Sequence, residues 1–333
     1  MTHRIALVGA GRIGRIHAAN IAAAPGLELR YIVDPLRASA EEVAVQTGAD
    51  VAEFAEALAD PRIAGVVIAS STDTHLNYSV RAIEAGKAVL CEKPLDLDVD
   101  KARAAGPVLG KPGERFIIGF NRRFDPHFLH LHELIQSGVM GKLETLHIIS
   151  HDPAPPPADY VKVSGGMFKD MSIHDFDMAR WLLGEEPVEI FAAGGCLVDP
   201  AIGEEGDIDT AKILLRTASG TICLISNSRR SGYGYDQRIE AFCSKGRMGA
   251  GNVVSTTVER SDESGSMSGP LQNFFLDRYA QAYRAEVAHF AAVLDGREAP
   301  MVSYADGLAA LNLAEAAAAS LHSKQRVRVS PVE

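Results

Sequence analysis

Cysteine is scarce and scattered. Cys91, Cys196, Cys223 and Cys243 are widely spaced, with no Cys-x-x-Cys pattern, so neither a disulfide framework nor a zinc knuckle is indicated. Long apolar runs are missing as well. Stretches such as Gly65 to Ala69 fall far short of the roughly 18 residues that a membrane helix needs. Thr2-His3-Arg4 leads straight into a short apolar strand and a glycine loop, without the longer apolar core and small-residue cleavage site of a signal peptide. A cytoplasmic location is therefore expected. The chain also lacks any Lys/Arg tract, and 33 basic residues stand against 43 acidic ones for a formal net charge of −10. Nucleic acid and anionic membrane surfaces are poor partners for such a chain. No internal repeat is visible.

What is present points to two folded domains. At roughly 150 residues per domain, 333 residues give two, each able to bury a core. A composition of 47% hydrophobic and 23% charged residues excludes wholesale disorder. The first 120 residues alternate short β-branched runs with Ala-rich helical stretches, the pattern of a parallel α/β sheet. Strands are expected at Arg4–Val8, Leu29–Val33, Gly65–Ala69, Ala88–Cys91 and Phe116–Phe120. Helices are expected at Arg15–Ala24, Leu36–Gln46, Val51–Ala59, Thr74–Ala85 and Val99–Leu109. Beyond Asn121 the pattern changes. A helix at His127–Ser137, a strand at Leu143–Ser150, a Pro-rich loop at Pro153–Pro157 and a helix over Phe168–Leu183 come first. Alternating runs at Ala211–Arg216, Thr221–Ser226, Gln237–Phe242 and Asn252–Val258 then predict a mainly antiparallel sheet, and Ser261–Pro270 a surface loop. Tyr279, Tyr283, Val287, Phe290 and Leu294 form an apolar stripe on the first of two closing helices. The expected domains are 1–121 and 122–333.

Gly9-Ala10-Gly11-Arg12-Ile13-Gly14 fits Gly-x-Gly-x-x-Gly between a predicted strand and a predicted helix. Glycines there permit a tight turn, close approach of backbone to a pyrophosphate, and close packing of helix on strand. Asp34, at the end of the second strand, can accept both hydroxyls of a ribose. These features predict a Rossmann-type dinucleotide domain, with S-adenosylmethionine the alternative ligand. At the carboxyl ends of the next strands lie Ser70-Ser71-Thr72-Asp73-Thr74-His75 and Cys91-Glu92-Lys93-Pro94, where ligands of an open parallel sheet sit. In the helix over Phe168–Leu183, Asp170 and His174 are four apart and share a face, so a carboxylate can steady an imidazole base. A metal site drawn from His151, Asp152, Asp170 and His174 is a competing reading of the same residues.

With these pieces in place, the chain resembles the Gfo/Idh/MocA oxidoreductase family, in its inositol 2-dehydrogenase branch. The matching segments include Glu92-Lys93-Pro94, Gly119-Phe120-Asn121-Arg122-Arg123-Phe124-Asp125, Gly165-Gly166-Met167-Phe168-Lys169-Asp170-Met171-Ser172-Ile173-His174-Asp175, Tyr233-Gly234-Tyr235-Asp236-Gln237-Arg238 and Asp306-Gly307. The resemblance covers nearly the whole chain. It implies Lys93, Asp170 and His174 as a catalytic triad that oxidises a cyclic polyol, myo-inositol foremost, with another inositol isomer or an aldose as alternatives. NAD would be held by Gly9, Gly11, Arg12, Ile13, Gly14, Asp34, Arg37, Ser70, Ser71, Thr72, His75, Glu92, Lys93 and Arg122. Substrate would meet Lys93, Arg122, Asp152, Asp170, His174 and Tyr235. No resident metal is implied. A homotetramer and a cis Lys93–Pro94 bond are further expectations, and a dinucleotide-binding regulator without turnover is the alternative from another class. The chain departs from the pattern at His151, where Arg is expected before Asp152, and at Cys243, where Gly is expected.

The Asp34 carboxylate would repel a 2′-phosphate, whereas Arg37 nearby would attract one. NAD should therefore give a higher kcat/KM than NADP, and Asp34→Ser or Asp34→Ala should raise relative use of NADP. Equal values for the two cofactors in the unaltered protein would mean that Arg37 governs the choice.

Overall fold

The computed structural model describes residues 2–111 and 113–330. Short segments with apolar, largely β-branched centres become strands whose middles are covered on both faces. They are β1 (His3–Val8), β2 (Leu27–Val33), β3 (Asp50–Val51), β4 (Ile63–Ile68), β5 (Ala88–Glu92) and β6 (Phe116–Gly119). All pair in parallel, in the order β3-β2-β1-β4-β5-β6. Ile5, Ala6, Leu7, Val66, Val67 and Ile68 lose all contact with solvent. The strand order reverses between β1 and β4, so the loops that leave their carboxyl ends open a crevice there.

The expected strands and helices of this sheet are present, with two corrections. Residues 50 and 51 pair as β3, and the helix expected from Val51 starts at Phe54. The helix expected over Val99–Leu109 is two pieces, Val99–Ala104 and Gly106–Leu109. Pro107 has no amide hydrogen and cannot continue a helix from the preceding turn. The chain separates into one compact unit of Met1–Phe124 with Gln281–Leu311 and another of Asp125–Ala280 with Asn312–Glu333. The sequence pattern, by contrast, places everything beyond 121 together. The apolar stripe of the helix Ala280–Leu294 supplies the reason: Tyr283, Val287 and Phe290 are buried as part of the first unit's core.

The second unit is built on β7 (Leu143–His151), β8 (Pro187–Gly195), β9 (Thr210–Thr217), β10 (Ile222–Ser228), β11 (Asp236–Cys243) and β12 (Gly246–Ala250). A small exposed hairpin, β13 (Arg260–Asp262) and β14 (Gly265–Met267), lies within the predicted surface loop, and β15 (Val327–Arg328) closes the chain. The large sheet runs β12-β11-β7-β10-β9-β8-β15 and is antiparallel apart from the β7–β10 pair. Its buried face takes Ala211, Ile213 and Leu215, while Leu214 and Leu224 point outward and stay partly exposed. The strand expected at Asn252–Val258 is replaced by irregular chain with a single bridge from Val254 to Leu271. Asn252 instead caps β11, its Oδ1 accepting from the Gln237 amide at 2.7 Å and its Nδ2 donating to Asp236 at 2.7 Å. Among the described residues, no helix is long and apolar enough to cross a membrane.

Inside the first unit, Glu286 is fully buried, and neither of its carboxyl oxygens has a hydrogen-bond partner. Burial, reinforced by the neighbouring charge of Glu92, pushes its carboxyl well above the usual carboxylate range. Its folded form therefore binds a proton that the unfolded chain has already released, and stability must fall as pH rises through that window. Glu286→Gln should match the unaltered protein at pH 5 and exceed it in thermal stability at pH 9. Parallel melting curves for the two at both pH values would mean that Glu286 ionises normally.

Candidate active site

The glycine loop begins where β1 ends. Gly9 has φ 102°, and its amide donates to the Val33 carbonyl at 2.8 Å. A side chain at Gly14 would run into the Gly9 carbonyl, so the helix Arg12–Ala23 starts directly against the turn. Gly11 and Arg12 are exposed, and a Cβ on Gly11 would meet nothing within 4 Å. That open space at a helix N-terminus, with amides aimed outward, suits a pyrophosphate. Asp34 sits just past β2. Its Oδ2 accepts the Ala10 amide at 2.7 Å and its Oδ1 the Leu36 amide at 2.8 Å. The carboxylate is thereby fixed, and each oxygen keeps a lone pair for a ribose hydroxyl. Arg37 is exposed and donates to Glu41 at 2.8 Å.

At the end of β4, Ser71 precedes the helix Thr72–Glu84, and Ser70 shares a 2.6 Å hydrogen bond with Thr74. His75 is buried, with its two ring nitrogens 2.8 Å from the Pro94 carbonyl and 3.1 Å from the Ser70 carbonyl. Burial drives its imidazole below the ordinary value, against the pull of those carbonyls. A neutral ring can donate to only one of the two at a time. His75 thus ties the loop after β4 to the turn after β5, where the Lys93–Pro94 bond is cis. Glu92 meets the buried His17 at 2.7 Å, with Glu286 close by. The donor atoms of His17, Glu92 and Glu286 lie within 4.8 Å of one another. However, a separation of 2.7 Å is that of a hydrogen bond, not of two ligands spread around an ion at about 2.0–2.2 Å from each. Lys93 is half-buried, and Arg122 is buried in the turn Asn121–Phe124.

In the second unit the chain enters through Gly165 and Gly166 into a π-helical turn, Phe168–Ser172, followed by the α-helix Ile173–Leu183. Asp170 and His174 therefore flank a π-to-α junction, where a uniform α-helix was expected from the sequence. Wider turns of this kind are frequent at functional sites. The Asp170 carboxylate accepts from the Tyr160 hydroxyl at 2.8 Å and from Arg229 at 3.2 Å. Neither partner is evident from sequence. Tyr160 lies on a helix, Ala158–Ser164, just past the Pro-rich stretch, and Arg229 immediately follows β10.

Asp152 is half-buried, and its amide donates to the Ser228 carbonyl at 2.9 Å. The neighbouring His151 pairs with Ser226 at 2.9 Å, and burial lowers its pKa. Among the described residues, the set of His151, Asp152, Asp170 and His174 does not converge as metal donors would. Tyr235 is buried edge-on against Tyr279 at 6.0 Å, whereas Tyr233 is exposed and donates to Asp236 at 2.7 Å. Cys243 is buried at the end of β11.

Known proteins are similar to this chain over nearly its whole length. The family model for an oxidoreductase family with an NAD-binding Rossmann fold matches residues 3–120, and the GFO/IDH/MocA C-terminal domain matches 128–249. Inositol 2-dehydrogenase of Rhizobium meliloti is 45% identical over 99% of this chain and 100% of its own. The crystal structure of a myo-inositol dehydrogenase from Corynebacterium glutamicum superposes with a TM-score of 0.95 at 44% identity, covering 99% of this chain and 100% of that one. The scyllo-inositol dehydrogenase from Lactobacillus casei, solved with NAD(H) and scyllo-inositol, gives a TM-score of 0.92 at 29% identity over 99% of both chains. With both halves matched by its models and nearly the whole chain 45% identical to one of its members, this protein belongs to the Gfo/Idh/MocA oxidoreductase family.

Proposed function

We propose that this chain oxidises a ring hydroxyl of a cyclic polyol, with myo-inositol converted to its 2-keto form as the first candidate, and with NAD as the acceptor. The observation that carries this reading is the full-length likeness, at 45% identity, to an enzyme named inositol 2-dehydrogenase. NAD, when bound, would supply the hydride acceptor. Gly9, Gly11, Arg12, Ile13 and Gly14 would seat its pyrophosphate, and Asp34 would take the ribose hydroxyls. Ser70, Ser71, Thr72, His75, Glu92, Lys93 and Arg122 form or support the nicotinamide end.

His174 accepts the proton of the reacting hydroxyl. Lys93 donates to the same oxygen as it becomes a carbonyl, and Asp170 holds the imidazole and steadies its charged form. Arg122, Asp152 and Tyr235 supply partners for the remaining hydroxyls, each of which costs roughly 1–3 kcal/mol if buried unpaired. The open face of the second unit's sheet carries Phe191, Leu214, Ile222, Leu224 and Phe242, all partly exposed. An apolar face of that kind favours cover by another copy of the chain, in a homotetramer. Four thiols that are all free fit a cytoplasmic setting.

Initial rates with NAD across myo-, scyllo- and chiro-inositol and glucose test the substrate. No turnover with any of them would end the polyol reading. Gly11→Ala should fold normally and weaken NAD binding, because its methyl occupies the open space, whereas Gly14→Ala should destabilise the fold itself. Equal loss of melting temperature in both would put the phosphates elsewhere. With myo-inositol, kcat/KM should rise with pH as the general base loses its proton, then flatten. His174→Ala should lower kcat by roughly 10²–10⁴-fold with NAD binding kept. Lys93→Ala should do similar harm, and the double variant should lose little more, since groups that act as a unit are not additive. A His174→Ala protein altered in KM alone would leave Lys93 as the base.

A further inference from the structure

Arg229 is 2% exposed, and its hydrogen bonding is incomplete. Its Nη1 donates to Asp170 Oδ2 at 3.2 Å, and its Nη2 lies 4.0 Å from Asp207 Oδ2. Nε and Nη2 make no hydrogen bond at all. A guanidinium buried in this condition is a poor structural device, because well-packed apolar residues in place of buried ions are often neutral or stabilising. Its surroundings are nonetheless specific. Asp170 reaches it from the π turn Phe168–Ser172, and Asp207 from the segment ahead of β9. Tyr160 binds the other Asp170 oxygen from the helix Ala158–Ser164. Asp207 is fixed in turn by the Met167 amide, which donates to its Oδ1 at 3.1 Å. The nearby cation Lys169 pairs with Glu315 at 2.6 Å.

We propose that Arg229 is the positioning residue for Asp170, with Asp207 as the counter-charge that moderates it. Arg229 fixes the direction of the Asp170 carboxylate and adds a positive charge to the proton network, and Asp207 partly offsets that charge. The proposal rests on the role given to Asp170 above. It adds two residues, Arg229 and Asp207, that act through Asp170 on the base.

The test uses the full-length protein with NAD and myo-inositol, reading kcat, KM and the pH midpoint of kcat/KM. Asp170→Asn comes first and tests the underlying reading. If its kcat and pH midpoint match those of the unaltered protein, Asp170 has no role in the chemistry and the proposal falls with it. With Asp170→Asn impaired, Arg229→Gln should lower kcat by up to roughly 100-fold, the scale of a misplaced catalytic group, with KM for NAD little changed. It should also move the midpoint upward, because a lost positive charge lets the network keep its proton to higher pH. Asp207→Asn is isosteric and can still accept from Met167. It should move the midpoint downward, and Arg229→Lys should recover part of the rate. A structural role would move both midpoints the same way or neither. Impaired Asp170→Asn together with unshifted or same-direction midpoints for the other two would overturn the proposal. If Arg229→Gln fails to fold, Asp207→Asn decides, and an unshifted midpoint there rejects it.

Discussion

Between β1 and the helix Arg12–Ala23 there is no room for a side chain, and most of the first unit's useful geometry follows from that contact. A Cβ on Gly14 would meet the Gly9 carbonyl, and one on Gly9 would meet the Ala69 carbonyl at the end of β4. Strand, strand and helix therefore close on bare backbone. The amide of Gly9 is used by Val33, and that of Ala69 by Val8, each at 2.8 Å. With those ends locked, the Ala10 amide turns to Asp34, which accepts it at 2.7 Å, and Gly11 provides no side-chain cap for the helix. Close packing at a strand-order reversal thus sets a helix N-terminus beside the end of β1, the kind of place where backbone donors meet a phosphate.

The second unit reaches precision by a different route. A π turn is a looser frame than an α-helix, and it does not by itself dictate where Asp170 points. The orientation comes from tertiary partners, a phenol on one carboxylate oxygen and a guanidinium on the other. The helix after Ile173 is regular, and its buried side is anchored by Phe176, Met178, Ala179 and Leu182. His174 thus stands on the first turn of a regular helix, while Asp170 stands on the π turn before it and is held by side chains from outside that turn.

This contrast explains what could be read from the residues alone. The parallel strands announce themselves because burial on both faces demands unbroken apolar runs, as in Val66, Val67 and Ile68. The glycine loop, Asp34, Glu92-Lys93-Pro94, Asp170 and His174 are local patterns whose chemistry survives without knowledge of tertiary contacts. What escaped detection depends on distant partners or on weak local signals. β8 starts with Pro187 and ends with Gly194-Gly195, residues that punctuate loops as often as strands. Asn252–Val258 has the alternation of a strand, but Asn252 is drawn aside by Asp236 and Gln237. The π turn leaves no mark in a one-dimensional pattern. Arg229 in Ser228-Arg229-Arg230 is indistinguishable from a surface basic pair until the fold buries it.

Buried carboxyl groups in this protein show that donors, more than residue type, decide whether a charge is kept. Burial opposes ionisation of Asp209. The amides of Leu197, Asp199 and Val198 and the Thr210 hydroxyl outweigh it, and its pKa falls to about 2. Asp125 caps its helix through the His127 and Phe128 amides and also receives Arg278, so its charge is met from two directions. Glu286 has burial without donors, and it takes up a proton. Asp170 is met differently, by the Tyr160 hydroxyl and the Arg229 guanidinium, with 14% of its side chain exposed. A carboxylate met by three amides is held by backbone, and one without donors keeps its proton. The donors of Asp170 sit instead on side chains from two other segments, so its direction is set by tertiary packing and not by its own turn.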